Sequence, residues 1–79
     1  MEMGQLFVSE SRRDERHLLK EYGAILNRRR KDRGITKLEL SKRTGVSCMD
    51  IDAAEQGLVG LSEDDKQKIA KFLRRQPII

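Results

Sequence analysis

The sequence has few of the residues from which disulfide frameworks, metal clusters and aromatic cores are built. Its 79 residues include one cysteine, one histidine, one tyrosine, two phenylalanines and no tryptophan. A lone cysteine cannot close an internal disulfide, and one cysteine with one histidine falls short of the four ligands of a structural zinc site. The same scarcity leaves no nucleophile and base to pair for catalysis. We therefore expect no metal, no cofactor and no enzymatic activity.

Long apolar runs are also missing. No stretch approaches the roughly 18 apolar residues that a transmembrane helix needs. The first residues lack the charged and apolar regions of a signal peptide. The sparse use of cysteine fits a reducing compartment. These absences predict a cytoplasmic protein with no membrane partner.

Positive charge is in excess. The chain contains 17 Lys and Arg against 13 Asp and Glu, which gives a net charge of +4 at pH 7. This surplus is compatible with nucleic acid, a membrane surface or an acidic protein, and does not choose among them. A chain of 79 residues is near the size at which a single core is only marginally stable, so we expect dimerisation to supplement it.

Helix start and stop signals recur along the chain. A hydroxyl residue followed three positions later by an acid fits the capping box at four places, namely Ser11 with Asp14, Thr36 with Glu39, Ser47 with Asp50 and Ser62 with Asp65. Gly34, Gly45, Gly57 and Pro77 supply the stops. They predict helices at 11–32, with a break or shift at Gly23, and at 37–43, 48–56 and 63–75. A flexible or strand-like arm at 1–10 precedes this helical domain of residues 11–76, and a tail at 77–79 follows it.

Apolar residues recur at helical spacing and predict the core-facing sides of these helices. In the second helix, either Leu38 with Ser41 or Leu40 with Thr44 faces inward. Ile35, Val46 and Leu61 lie in the connections and are expected to fill the core. The other expected core residues are Leu18, Tyr22, Ile25, Leu26, Ile51, Ala54, Leu58, Ile69, Phe72 and Leu73. The pattern predicts an all-α bundle of four to five helices.

The connection between the two short helices is the most informative spacing. Only Thr44, Gly45 and Val46 join them, which favours the sharp crossing of a helix-turn-helix. From Tyr22 to about Leu73 the chain resembles the Cro/C1 (Xre-like) helix-turn-helix family. The matching positions are Gly34-Ile35-Thr36-Lys37, Leu40-Ser41, Gly45-Val46-Ser47, Ile51 and Glu55-x-Gly57, preceded by the basic run NRRRKDRG. The resemblance implies a lambda-repressor-like fold and a transcriptional regulator, of the repressor type, that binds double-stranded DNA as a homodimer.

The resemblance also implies residue roles. Arg30 and Glu55 match an ion pair that joins the first helix to the recognition helix. Thr36, Lys37 and Gln56 match contacts to DNA phosphates, and the basic flanks of the motif add Arg28, Lys42 and Arg43. The positions that face bases are Ser47, Cys48, Met49, Asp52 and Ala53.

This base-facing row departs from the family in its chemistry. It lacks Gln, Asn, Arg and Lys, whose side chains form bidentate pairs with adenine or guanine. Asp52 could accept from cytosine, pair with a partner's cation or simply be solvated, while Asp50 is explained as a cap. Residues 34–57 hold three basic and four acidic side chains, so the motif itself is slightly negative. The alternative is therefore a protein-interaction module, an antirepressor or regulatory partner, with an acidic ridge at Asp50, Asp52 and Glu55.

Apolar residues near both ends of the sequence favour a contact between subunits. Leu6, Phe7 and Val8 lie near the beginning, and Ile78 and Ile79 near the end. A small monomer would expose these side chains to water, and burial against a second subunit would remove them from it.

Overall fold

A computed structural model describes the backbone of residues 2–79 and the side chains from Arg16 onward. Its four helices are α1 (Glu2–Asp32), α2 (Lys37–Thr44), α3 (Cys48–Glu55) and α4 (Glu63–Arg74). Within residues 2–79 there is no strand, so the prediction of an all-α chain is confirmed. None of the described helices has an apolar stretch long enough to cross a membrane.

The first helix begins earlier than the sequence signals predict. The expected start is Ser11, after a flexible or strand-like arm, but α1 already includes residues 2–10. Met1 lies outside the described residues. The segment has Glu, Met, Gln and Leu, which favour helices, and no proline. Extending a formed helix fixes one residue for each hydrogen bond gained, so a helix begun downstream can continue through the capping signal at Ser11.

The predicted break at Gly23 is wrong, because α1 continues through it. Gly23 lies where the backbone of α1 closely approaches the end of α3. A Cβ built there would collide with the backbone carbonyl oxygen of Ala54 and lie 2.8 Å from that of Glu55. The absence of a side chain therefore lets the end of α3 rest directly on the backbone of α1.

The caps follow the sequence signals at α2 and α4 but not at α3. The hydroxyl of Thr36 accepts a hydrogen bond from the Glu39 amide at 3.1 Å, and that of Ser62 accepts from the Asp65 amide at 3.1 Å. Ser47 stands immediately before α3, yet its side chain makes no capping hydrogen bond. The capping box predicted with Asp50 is therefore not formed, and the Ser47 side chain is exposed.

The turn after α1 carries the chain into the core. Gly34 has a φ of +64°, a conformation that few residues other than glycine adopt. The amides of Gly34 and Ile35 donate to the carbonyls of Lys31 and Arg30 at 3.0 and 3.1 Å, the two bonds of a Schellman motif. The turn places Ile35, only 6% exposed, inside the core.

One apolar core joins all four helices. In α2 the buried residue is Leu40 rather than Leu38, so the second alternative for this helix is correct. Leu18, Ile25 and Leu58, also predicted as core, are exposed at 59%, 42% and 68%, and Leu58 follows the turn that ends α3. Full burial of each large apolar side chain contributes about 1.5–3 kcal/mol. The core consists of Leu26, Ile35, Leu40, Val46, Ile51, Ala54, Ile69 and Leu73, with Tyr22, Leu61 and Phe72 partly buried against it.

Replacing Gly23 by alanine tests the close approach of α1 and α3. Helix propensity alone would make Gly23→Ala more stable by about 1 kcal/mol. The added methyl group instead meets backbone atoms of Ala54 and Glu55, which cannot rotate away. We expect the free energy of unfolding, measured by urea denaturation, to fall by about 1–3 kcal/mol.

Gly60→Ala is the matched control. A Cβ at Gly60 meets only the Cδ2 atom of Leu19, at 2.9 Å, and that flexible side chain can move. Its stability should be close to that of the wild type. A Gly23→Ala variant more stable than the wild type would show that the helices do not touch at this position.

Candidate nucleic-acid interface

The turn between α2 and α3 is short and internally bonded. The amide of Gly45 donates to the Ser41 carbonyl at 2.8 Å, which closes the end of α2. The hydroxyl of Thr44 donates to the Leu40 carbonyl at 2.7 Å and accepts from the Val46 amide at 3.2 Å. Val46 itself is 2% exposed. Its burial and these hydrogen bonds fix the direction in which α3 leaves α2.

A buried ion pair holds the other end of α3. Arg30 on α1 donates from Nε to Oε2 of Glu55 at 2.7 Å and from Nη2 to Oε1 at 2.9 Å. The amide of Asn27, one helical turn before Arg30, donates to the same Oε1 at 2.7 Å. The side chains of Arg30 and Glu55 are only 9% and 3% exposed. The ion pair that the family resemblance predicts is thus present, and Asn27 is a third member that the sequence reasoning missed.

The same arginine also fixes the connection between α1 and α2. Its Nη1 atom donates to the carbonyl of Ile35 at 2.9 Å, and its own carbonyl accepts from the Ile35 amide at 3.1 Å. A single side chain therefore joins α1, α3 and the turn before α2. Among the side chains described, from Arg16 onward, no buried polar atom lacks a hydrogen-bond partner.

The network keeps Glu55 ionised. Burial by itself raises the pKa of a carboxyl group, but the hydrogen bonds from Arg30 and Asn27 and the charge of Arg30 outweigh it, so the pKa of Glu55 lies below its ordinary value. The hydrogen bond to Glu55 raises the pKa of Arg30 despite its desolvation. Both groups are therefore charged at neutral pH.

Three of the predicted DNA contacts bind one another instead of pointing freely into solvent. The ammonium of Lys37, in the first turn of α2, donates to Oδ1 of Asp52, and the amide of Gln56 donates to Oδ2 at 2.7 Å. The hydrogen bond from Lys37 lowers the pKa of Asp52, and the same bond raises the pKa of Lys37. Asp52 is thus an intrachain partner of Lys37, a possibility outside the three readings that the sequence suggested. The sequence feature that could have indicated this pair is a lysine at the first position of α2, Lys37, followed by an aspartate within α3, Asp52.

The other residues predicted to face bases are Ser47, just before α3, and Cys48, Met49 and Ala53 on it. Met49 is the most exposed, at 81%. Ser47 is exposed, and Cys48 and Ala53 are partly buried. These residues form an apolar and weakly polar edge on α3. Asp52 is the one carboxylate among the residues predicted to face bases, and it is already paired with Lys37.

The predicted phosphate contacts do not all lie beside this edge. Lys42 and Arg43 are exposed in the last turn of α2, and the hydroxyl of Thr36 is engaged as the cap of α2. Arg28 precedes Arg30 by two residues, or about 200° around the helix axis. Because Arg30 faces α3, Arg28 points to the opposite side of α1, where it lies near Ile25 and Asp32. It does not belong with the edge of α3.

Removing Glu55 tests whether the buried network holds the fold. Glu55→Ala leaves the Arg30 guanidinium buried without its counter-charge, and we expect a loss of about 3–5 kcal/mol in the free energy of unfolding. Asp64→Ala is the control, because it removes an exposed ion pair with Lys68, 3.1 Å long. Its effect should be at most about 1 kcal/mol. Equal effects of the two variants in urea denaturation at neutral pH would contradict a structural role for Glu55.

The same variant has a pH signature. The folded-state pKa of Glu55 lies below its unfolded value of about 4.3. Its contribution to stability is therefore fully present above that value and is lost as the pH falls through the folded-state pKa. Wild-type stability should decrease in this acid range, and the part of the decrease due to Glu55 should be absent from Glu55→Ala.

Comparison with known proteins adds no relative to this picture. No family model, no curated protein and no solved structure matches the chain. The resemblance to the Cro/C1 family therefore rests on the motif residues themselves.

Proposed function

We propose that this protein is a DNA-binding transcriptional regulator of the Xre-like helix-turn-helix type, a repressor that binds double-stranded DNA through α2 and α3. The observation that carries the proposal is the way α3 is held. Its C-terminal end is fastened to α1 by Glu55 and its N-terminal end follows the buried Val46, while the residues between present an exposed edge. A helix of eight residues is about 12 Å long, which suits a major groove about 12 Å wide.

Phosphate contacts supply most of the affinity in this proposal. Lys42 and Arg43 lie in the exposed last turn of α2, and no ion pair engages them among the described side chains. Lys37 already uses one of its three ammonium donors on Asp52, so its charge is partly offset before it meets a phosphate. Each neutralised phosphate releases counterions, so affinity should fall steeply as salt rises. The paired Asp52 weakens the repulsion that an isolated carboxylate would exert on the DNA backbone.

Base readout is correspondingly weak. The edge of α3 offers Met49 and Ala53 to thymine methyl groups, and no amide or guanidinium that could form a bidentate pair with a purine. Selection of a site then depends on DNA shape and on how easily the sequence deforms. We therefore expect a modest ratio between the affinity for selected sites and the affinity for random duplex. The ratio should be smaller than for repressors that have Gln or Asn at the base-facing positions.

The regulatory mechanism is occupancy. A homodimer places one α3 in each of two half-sites, about 34 Å apart on one face of the duplex. Phosphate contacts fix the register of the two subunits, and the bound dimer blocks or redirects transcription at the site.

A second candidate is a protein-interaction module, and one feature of α3 favours it. Met49 is 81% exposed and adjoins Asp50, so an adaptable apolar side chain stands beside an exposed carboxylate. Such a surface suits a cationic, apolar segment of another protein. In this case the protein would act as an antirepressor or regulatory partner and would bind DNA weakly or not at all.

The exposed cations at the end of α2 give the direct test of DNA binding. Replacing both Lys42 and Arg43 by alanine removes two phosphate contacts. The slope of log affinity against log salt, measured by fluorescence anisotropy of a labelled duplex, should become shallower by about 2. Affinity at low salt should fall for random and selected duplexes alike, because phosphate contacts carry no sequence information.

Lys68→Ala with Lys71→Ala is the matched control, since it removes the same charge from the exposed surface of α4. It should leave the salt slope nearly unchanged. The same loss in both double variants would mean that only net charge matters and that α2 makes no specific contact. No measurable affinity of the wild type even near 50 mM salt, where phosphate binding is strong, would contradict the proposal and favour the protein-interaction candidate.

A further inference from the structure

A groove between α1 and α4 lies apart from the exposed surface of α2 and α3. Its volume is about 510 Å³, and none of its lining residues comes from α2 or α3. Its floor is apolar, and Ile25 within it is 42% exposed although it belongs to the face of α1 that turns toward α4. The apolar part of the groove consists of Tyr22, Ile25, Leu26, Ile69, Ala70 and Leu73.

The rim of the groove is entirely cationic. Four of its lining residues are Arg29, Arg33, Lys66 and Arg74, and none is acidic. Local contacts hold two of these side chains: Arg33 donates to the Leu73 carbonyl at 2.6 Å, and the Lys66 ammonium lies 5.0 Å from the centre of the Tyr22 ring. No ion pair satisfies the four cations among the described side chains. An apolar floor with an uncompensated positive rim calls for an occupant that is apolar along its centre and acidic at its margins.

We infer that the occupant is the N-terminal part of α1, residues 2–10, from a second copy of this chain. Met3, Leu6 and Phe7 are spaced i, i+3 and i+4, so a helix places them on one face. Glu2 and Glu10 are the only charged residues of the segment, and it contains no Lys or Arg. The apolar face of this segment therefore complements the apolar floor of the groove, and its two glutamates complement the cationic rim.

Residues 2–10 cannot occupy the groove of their own chain. One wall of the groove is α1 itself, from Tyr22 to Arg29, with Arg33 just after the helix. Since α1 is continuous from Glu2 to Asp32, Leu6 lies about 24 Å along the axis from Tyr22 and cannot fold back onto it. A second copy related by a two-fold axis can supply its segment and receive one in return, which closes the assembly as a dimer with two equal contacts.

This contact involves neither α2 nor α3, so it stands whether or not the protein binds DNA. It also specifies the subunit contact that the apolar residues at 6–8 favour in a chain of only 79 residues. The cationic rim predicts that the dimer weakens as salt rises.

Sedimentation equilibrium of the purified full chain tests the inference. Ile25→Asp alters the floor of the groove at a position already 42% exposed, and should raise the dimer dissociation constant about tenfold or more. Leu6→Asp with Phe7→Asp should do the same from the other side of the contact. Leu38→Asp, at a leucine 56% exposed on α2, is the control and should leave dimerisation unchanged. Arg74→Glu, on the rim, should also weaken the dimer and does not touch the core.

Mixing gives the sharpest result. The groove variant keeps an intact segment, and the segment variant keeps an intact groove, so each mixed dimer recovers one of the two contacts. We expect heterodimers in the mixture at concentrations at which each variant alone is monomeric. A folded wild-type chain that stays monomeric, a control that dissociates as readily as Ile25→Asp, or a mixture without heterodimers would each overturn the inference. A monomer that still binds duplex would overturn this inference and the homodimer of the proposed mechanism, but would leave DNA contact by α2 and α3 standing.

Discussion

The ion pair between Arg30 and Glu55 is the contact on which the arrangement of the first three helices depends. Moving two charges out of water costs several kcal/mol each, and here the cost is offset by two short hydrogen bonds between the partners. Asn27 and the carbonyl of Ile35 satisfy further polar atoms. Such a pair contributes geometry more than net stability, because donors from Arg30 and Asn27 converge on Glu55 and restrict where α3 can lie on α1. Gly23 completes this placement by letting the end of α3 reach the backbone of α1.

The contact of Glu55 with Arg30, on the buried side of α3, also determines what lies on the exposed side of this helix. Because Glu55 points into the network with Arg30, Asp52 is placed one turn earlier on the side toward Lys37, and these two pair at the surface. The helix thus carries one buried and one exposed ion pair, and its acidic character is largely neutralised within the chain. Two of the three carboxylates of α3 are therefore used by the fold, and Asp50 is the one that remains exposed and outside the ion pairs of the described side chains. The apolar edge of α3 and the cationic groove beside α4 remain open.

Local signals predicted most of the fold. Thr36 and Ser62 cap helices as expected, and Gly34 adopts the left-handed conformation that its position after α1 suggested. Ser47 carries the same signal without forming the bond, since the motif specifies residue types and not the orientation of the hydroxyl. The start of α1 was misplaced because a capping signal does not prevent a helix from continuing. Leu38 and Leu40 could not be distinguished, as a helix of eight residues is too short for its periodicity to decide.

The candidate site was only partly visible in the sequence. Arg30 and Glu55 followed from the family resemblance, but Asn27 joins them only because α1 and α3 cross at this point. The pairing of Lys37 with Asp52 depends on the angle between two helices, which no local pattern encodes. The groove between α1 and α4 is likewise a property of packing. It brings together residues that are far apart in the sequence, such as Arg33 and Leu73, which are 40 positions apart.

The most direct measurement is a thermodynamic cycle on the buried pair, with Arg30→Met, Glu55→Leu and the double variant compared by urea denaturation. If the pair acts as one unit, each single variant leaves a buried charge uncompensated, and the double variant should be more stable than either by about 1 kcal/mol or more. A double variant whose loss equals the sum of the two single losses would show that the residues act independently and would contradict the account.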